Sequence, residues 1–175
     1  MSPDYEKHIQ GILKQLGIPA GYGNEVGLGL LQEAHDLVSA GRDMFDRPQK
    51  MTAETLAHWQ LMQKAAAGEG IEILLVSAYR SVTYQKNIFL RKLASGETLE
   101  DILKVNVAPG FSEHHTGRAL DLAVHGQEPL TLAFENTRAF QWLSHRAADF
   151  SFRLSFPENN PYQIDYEPWH WAYTG

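Results

Sequence analysis

The sequence predicts an α+β fold in which a small, largely antiparallel sheet is backed by helices. Segments with helical periodicity come mostly in the first half of the chain, and short alternating or β-branched segments come mostly in the second half. This order differs from the repeated strand–helix alternation that is typical of parallel sheets. The length of 175 residues fits one domain. We expect its helical N-terminal part to cover about 1–70 and the part that carries the chemistry to cover about 71–175.

Capping residues mark the beginnings of the predicted helices, because a short polar side chain there accepts a backbone N–H that has no partner inside the helix. The first helix follows Ser2-Pro3 and ends before Gly17. The remaining predicted helices run from Asn24 to about Ala40, from Thr52 to about 67, from Ser81 to about Ala94, from Thr98 over a shorter stretch with Asp101 in a capping box, and from Asn136 to about Ala148.

The predicted strands lie between these helices and after them. Residues 71–76 are apolar and β-branched, which is typical of a buried strand. Residues 118–124 and 152–156 alternate in chemistry, which favours strands with one face toward the core. The stretch 106–117 contains a proline and two glycines and is predicted to be a loop, and the aromatic C-terminal stretch is predicted to be extended.

Composition and charge exclude several classes of protein. The chain has 15 basic and 21 acidic residues, a formal net charge of −6, and no basic run, so it is a poor candidate for nucleic-acid binding. It has no cysteine, which excludes disulfides and thiolate zinc sites. The beginning of the sequence does not resemble a signal peptide and no apolar run reaches a membrane-spanning length. The expected location is therefore the cytoplasm, or the periplasm or cell envelope if a leader was removed.

The first cluster with possible chemistry lies at 112–121. Ser112 and His114 fall in the predicted loop, Gly117 permits a sharp turn, and Asp121 follows in a strand. On that strand Asp121 shares its face with alanines only, which leaves room for an ion. A histidine and an aspartate brought together by a turn suit zinc. Taken alone, the cluster is better explained by a turn cap and a surface histidine.

The second cluster lies close to the end of the chain. Glu167 and His170 are surrounded by aromatic side chains, which restrict rotamers and lower the local dielectric, and both effects favour a ligand or a general base. Taken alone, this cluster is better explained by a C-terminal strand that docks through its aromatic residues. The aromatic residues are Tyr166, Trp169, Trp171 and Tyr173.

Together the two clusters supply three candidate zinc ligands, His114, Asp121 and His170. A catalytic zinc usually has three protein ligands and one open position for water. Glu167 is then the candidate general base. Arg80 follows the buried strand at 71–76 and is the candidate for stabilising negative charge on the substrate, and Gln85 could add a polar contact to the same ligand.

Three motifs in the order SAYRSVTYQ, GFSEHHTGRALDLA and EPWHWAYTG resemble those of the VanY-type D-alanyl-D-alanine carboxypeptidases. This zinc peptidase family also contains VanX dipeptidases and L,D-carboxypeptidases. The motifs span a little over half of the chain. The resemblance implies a hedgehog/DD-peptidase-like α+β fold and one catalytic zinc.

The resemblance also implies a role for each matched residue. His114, Asp121 and His170 would hold the zinc, and Glu167 would be the general base for a zinc-bound water. Arg80 would lie near the scissile carbonyl or the terminal carboxylate of the substrate. The remaining substrate contacts are assigned to Gln85, at that carboxylate, and Ser112, at the substrate backbone. We expect His115 to support the site from its edge or to be exposed.

The expected function is removal of a C-terminal D-alanine from stem peptides of bacterial peptidoglycan or its precursors. The alternatives within the family are an L,D-carboxypeptidase, a D,D-dipeptidase and an endopeptidase. A different class remains open, a zinc-binding module without catalysis, as does a protein in which the histidines are structural. Glu167 favours an enzyme, because a binding module needs no base at that position.

Overall fold

The computed structural model describes all 175 residues, Met1–Gly175. It contains six α-helices, two antiparallel sheets and three short 3-10 turns, in agreement with the predicted α+β class. In chain order the helices and strands are α1 Pro3–Leu16, α2 Tyr22–Glu25, β1 Leu37–Arg42, β2 Pro48–Thr52, α3 Ala53–Gly68, β3 Leu74–Ser77, α4 Val82–Ala94, α5 Leu99–Val105, β4 Ala119–Ala123, α6 Arg138–Arg146, β5 Phe152–Leu154 and β6 His170–Tyr173. None of these helices combines the length and the apolar character needed to span a membrane.

The main sheet has four strands in the order β3-β4-β6-β5, and every neighbouring pair is antiparallel. β4 is central and pairs with β6 in a register that sets Asp121 opposite His170. On its other side β4 pairs with β3, where Ser77 lies opposite Asp121 after an irregularity in the ladder. β1 and β2 form a separate hairpin.

Four of the predicted helix caps are confirmed. The side chains of Ser2, Thr52, Ser81 and Thr98 each accept the backbone N–H three residues later. The start predicted at Asn136 is one residue early, because the hydroxyl of Thr137 caps α6 and Asn136 ends a 3-10 turn. α6 itself ends at Arg146, and 147–150 continue as a 3-10 turn.

The helix predicted from Asn24 to about Ala40 is wrong. α2 ends at Glu25, and β1 begins at Leu37, so the N-terminal part is not purely helical. Gly27 has a φ of 68°, which breaks a right-handed helix. The following backbone finds partners elsewhere, because Leu31 and Ala34 donate their N–H groups to loop carbonyls at Gly110 and His115, each at 2.8 Å. These long-range bonds replace the local bonds of a helix.

The core consists of two apolar clusters, one packed against the main sheet and one among the N-terminal helix and two later helices. The larger cluster contains Leu120 and Leu122 of β4 together with residues of α3 and α6. The second cluster joins α1 to α4 and α5 around Ile9, Phe89 and Ile102. Because side chains alternate along a strand, Asp121 projects from the face of β4 opposite to Leu120 and Leu122. The fold thus places a buried carboxylate on the sheet face that the larger apolar cluster does not use.

Candidate metal centre

The structure brings His114, Asp121 and His170 together. One ligand atom from each of the three lies within 4.8 Å of the others, and all three residues are buried. His114 comes from the 3-10 turn Glu113–Thr116 immediately before β4, Asp121 from the middle of β4, and His170 from the start of β6. The predicted ligand set therefore converges, as the antiparallel pairing of β4 with β6 requires.

The two histidines present opposite ring nitrogens to the carboxylate between them. His114 donates its Nδ1 proton to the carbonyl oxygen of Ala78 at 2.5 Å, and its Nε2 lies 3.3 Å from Asp121 Oδ2. His170 has its Nδ1 3.1 Å from Asp121 Oδ1. Two imidazole nitrogens and one carboxylate form a donor set that fits Zn²⁺.

The protonation of these groups reflects their burial and their neighbours. Burial, strengthened by the Arg80 charge, lowers the pKa of His114 to about 4. Burial also acts to lower the pKa of His170, but hydrogen bonds to Asp121 and Glu113 outweigh it and raise that pKa to about 10. A metal ion at Nδ1 of His170 competes with this proton, because a metal ligand must be deprotonated.

Glu167 lies beside the cluster, with its Oε2 3.7 Å from Nδ1 of His170. A tight turn holds it there, because the N–H of His170 donates to the Glu167 carbonyl at 3.1 Å. Burial is the main cause that raises the pKa of Glu167 to about 7, with the Asp121 charge acting in the same direction and His170 opposing it. A carboxyl group with a pKa near neutrality can both accept and return a proton.

Arg80 reaches into the same cluster from the loop between β3 and α4. Its Nη2 contacts His114 Nε2 at 2.7 Å and makes an ion pair with Asp121, while its Nε donates to Ser77 Oγ at 3.1 Å. The guanidinium is thus held at the centre of the site. Nη2 engages the same Nε2 lone pair of His114 that a metal would use, so the guanidinium must turn away from Nε2 for a metal to bind there.

A cavity of about 360 Å³ opens onto the three candidate ligands, Glu167 and Arg80. Ser112 lines it and does not cap the 3-10 turn with its hydroxyl, so the predicted contact with a substrate backbone fits its position. Trp169 and Phe156 add apolar surface, and Lys92 lies on the lining as a further cation. The cavity is large enough for a few atoms of peptide on both sides of a scissile bond.

Gln85 also lines the cavity, but its orientation differs from the expected one. Its amide nitrogen donates to the Val107 carbonyl at 2.9 Å, and its Oε1 is buried without a hydrogen-bond partner. The Val107 carbonyl requires a donor, which fixes the orientation of the amide. The atom without a partner, Oε1, is therefore an acceptor. It suits an N–H group of a ligand and does not suit the terminal carboxylate that the sequence predicted as its partner.

His115 is fully buried, so the expectation that it is exposed is excluded. Its Nδ1 donates to the Arg80 carbonyl at 2.7 Å, and its Nε2 accepts the N–H of Gly110 at 3.0 Å. Because both ring nitrogens are engaged, His115 has none left for a metal. It acts as a support that ties the Arg80 loop to the 3-10 turn.

Sequence reasoning missed Glu113, which lies next to the first candidate ligand. Its Oε2 is 3.0 Å from His170 Nε2, and its Oε1 is 2.7 Å from Arg153 Nη2. Burial acts to raise the pKa of Glu113, but the hydrogen bond from His170 and the charges of His170 and Arg153 together outweigh it, and the result is a pKa of about 2. Its position beside His114 is the only sequence signal that could have drawn attention to it.

The comparison with family models gives the class of this protein. Residues 48–175 match the model described as VanY, D-alanyl-D-alanine carboxypeptidase. This match covers well over half of the chain and includes all three candidate ligands, Glu167 and Arg80. The chain belongs to the VanY family.

Individual relatives agree with this assignment. The chain is 38% identical over 119 residues to the putative carboxypeptidase YodJ of Bacillus subtilis strain 168, a match that covers 65% of this chain and 42% of that protein. It is 29% identical over 127 residues to the bifunctional D-Ala-D-Ala dipeptidase and D-Ala-D-Ala carboxypeptidase VanXYC of Enterococcus gallinarum, covering 70% of this chain and 66% of that protein. The match therefore spans less than half of YodJ.

The fold is similar to that of a solved structure, the LdcB LD-carboxypeptidase. The TM-score is 0.73 with 32% sequence identity, and the match covers 82% of this chain and 70% of LdcB. That coverage extends beyond residues 48–175, so part of the N-terminal region also has a counterpart in LdcB.

Proposed function

We propose that this protein is a zinc-dependent carboxypeptidase that removes a C-terminal D-alanine from peptidoglycan stem peptides. The observation that carries the proposal is the convergence of His114, Asp121 and His170 beside Glu167, whose raised pKa of about 7 suits proton transfer. The VanY family model and VanXYC are both named for activity on D-alanyl-D-alanine, which supports the choice of substrate.

His114 through Nε2, Asp121 through its carboxylate and His170 through Nδ1 would hold the zinc. A zinc ion held there would polarise the scissile carbonyl and lower the pKa of water toward neutrality. Glu167 accepts the proton of the attacking water and passes it to the nitrogen of the departing D-alanine. Burial of Glu167 favours this exchange, because it raises the pKa of the carboxyl group to about 7.

Arg80 supplies the positive charge that the reaction needs. The scissile carbonyl gains negative charge as water adds, and a nearby guanidinium in a poorly hydrated site would stabilise that charge. The same guanidinium can pair with a terminal carboxylate, so Arg80 accounts for either of its two expected roles. Ser112 and Gln85 line the same cavity, and they would supply polar contacts to the peptide.

The alternative of an L,D-carboxypeptidase has a specific observation in its favour. LdcB, with a TM-score of 0.73, is described as an LD-carboxypeptidase. A D,D-enzyme cleaves between two D-alanines of a pentapeptide stem, whereas an L,D-enzyme removes D-alanine from a tetrapeptide. Both reactions use the same catalytic groups and differ in the residue that precedes the scissile bond.

The deciding experiment is mass spectrometry of muramyl pentapeptide and muramyl tetrapeptide after incubation with the zinc-loaded protein, with and without a chelator. We expect the pentapeptide to lose one alanine in a chelator-sensitive manner. Loss from the tetrapeptide alone would assign the L,D reaction. Cleavage of neither peptide by protein that contains zinc would overturn the carboxypeptidase proposal and favour a binding module.

The Glu167→Gln variant tests the role of the base. Loss of general-base catalysis is expected to lower kcat by about 10²–10⁴-fold while zinc remains bound. Glu158→Gln is the matched control, since Glu158 is an exposed carboxylate in the same loop before β6. Full activity of Glu167→Gln would remove Glu167 from the mechanism.

A further inference from the structure

The two candidate histidine ligands are oriented by different kinds of partner. Nδ1 of His114 donates to a backbone carbonyl, that of Ala78, at 2.5 Å. Nε2 of His170 is instead paired with a side chain, the carboxylate of Glu113, at 3.0 Å. The orientation of His114 is thus built into the backbone, whereas the orientation of His170 depends on one side chain.

The Glu113 carboxylate is itself held in place. Its Oε1 is paired with Arg153 of β5 at 2.7 Å, and its Oε2 faces His170 of β6. Arg153 and His170 stand on neighbouring strands of the sheet. Glu113 therefore links the turn that carries His114 to the strands that carry its two partners, with about three quarters of its side chain buried (23% exposed).

The imidazole of His170 needs such a partner. Turning the ring by 180° about the bond between Cβ and Cγ would move Nδ1 away from Asp121 and Glu167. The phenyl ring of Phe156, whose centroid lies 4.9 Å from that of His170, makes no hydrogen bond that distinguishes the two orientations. The carboxylate of Glu113 does, because only one orientation places Nε2–H beside it.

We propose that Glu113 is a positioning residue that keeps His170 in the Nε2–H tautomer with Nδ1 directed at the metal site. The inference rests on the proposed metal site, but not on hydrolysis of any particular peptide. A carboxylate behind a histidine ligand fixes the tautomer and makes the ligand more basic, and its loss typically weakens metal binding by about 10–100-fold. Arg153 contributes indirectly, because its ion pair with Glu113 holds that carboxylate in place.

The first test measures zinc affinity by competition with a chromophoric chelator. Glu113→Leu removes the acceptor and is expected to weaken zinc binding by about 10–100-fold. Glu113→Gln keeps one acceptor oxygen and is expected to lie between the wild type and Glu113→Leu. Glu69→Leu is the control, because Glu69 pairs with Arg146 at the surface and should leave zinc affinity unchanged. Zinc affinity of Glu113→Leu within about twofold of the wild type would overturn the proposal.

The second test uses the unmodified protein and so does not depend on the variants folding. Long-range proton–nitrogen NMR of the zinc-loaded protein should show His170 protonated at Nε2, with that proton shifted downfield by the carboxylate. Protonation at Nδ1 would overturn the proposal. Because neither test measures hydrolysis, a protein that binds zinc but cleaves no stem peptide would defeat the proposed function and leave this inference standing.

Discussion

The parts of the chain before and after about residue 70 contribute to the site in different ways. The later part supplies the side chains: His114, Asp121, Glu167 and His170 all belong to it. The earlier part supplies hydrogen-bond partners for the backbone of the site loop. Ala34 donates to the carbonyl of His115 at 2.8 Å. Backbone bonds of this kind can be formed by many sequences, which explains why the earlier part has no recognisable motif.

This division has a physical origin. The stretch that leads into β4 is irregular, so its carbonyl groups are not satisfied by a helix or a sheet ladder, and buried backbone groups must be paired. The hairpin and the segment before it provide those partners, including Thr52 N–H to the Gly117 carbonyl at 3.1 Å. Substitutions after residue 70 should therefore affect chemistry first, and substitutions before it should affect stability first.

The largest expected effect is in the later part. His114→Ala removes one of three candidate ligands, so zinc binding should be lost and hydrolysis should fall on the order of 10³-fold or more. Metal content and peptide cleavage measure this directly. His145→Ala is the control, because His145 is exposed and its ring is hydrogen-bonded to the carbonyl of Gln141, far from the candidate ligands in the sequence. Retained zinc in His114→Ala would show that the ligand set is different.

The next effect lies at the boundary between the two parts. Gly117 has a φ of 67°, and a Cβ there would lie 2.7 Å from Leu37 Cδ2 of the hairpin. Gly117→Ala should lower the free energy of unfolding by about 1–3 kcal/mol, through the strained backbone and the clash. Urea denaturation measures it. Gly126→Ala isolates the backbone contribution, because Gly126 has a φ of 80° with no atom near a Cβ. Equal losses in both variants would argue against the clash.

A smaller effect is expected from Glu33, in the earlier part. Its two carboxylate oxygens accept hydrogen bonds from Tyr79 Oη and from the N–H of Val82, both at 2.7 Å. Glu33→Gln retains only one acceptor, so the unfolding free energy should fall by about 1–2 kcal/mol. Zinc affinity should not change, in contrast to His114→Ala. Asp36→Asn, at an exposed position, serves as the control. A loss of zinc from Glu33→Gln would contradict the proposed division of roles between the earlier and later parts of the chain.

The smallest effect is a pH dependence in the hairpin. Burial alone would raise the pKa of Asp43, but hydrogen bonds from the N–H groups of Arg47 and Phe45 and from the Arg47 and Gln49 side chains outweigh it and lower the pKa. The stabilisation is therefore present above the unfolded value of 3.8 and is lost as the pH falls through the folded value. Asp43→Asn should differ most from the wild type in urea denaturation near neutral pH and least in strong acid. A constant difference across pH would contradict this origin.

Local signals in the sequence were sufficient for much of the fold. A cap connects a side chain to an N–H only three residues away, so Thr52, Ser81 and Thr98 could be identified without any tertiary information. The second predicted helix failed for the opposite reason. Its apolar spacing was compatible with a helix, but the hydrogen bonds that Leu31 and Ala34 make are with residues about eighty positions away in the chain.

The same distinction applies to the site. The spacing of His114, Gly117 and Asp121 and the turn at Glu167–His170 are local patterns, so the sequence by itself was enough to identify the candidate ligands and the candidate base through their resemblance to a known family. Burial of His115, the orientation of Gln85 and the pairing of Glu113 with His170 depend on contacts between distant segments. Only the folded chain establishes these features, because a hydrogen bond between two strands or loops leaves no periodic signal in either of them.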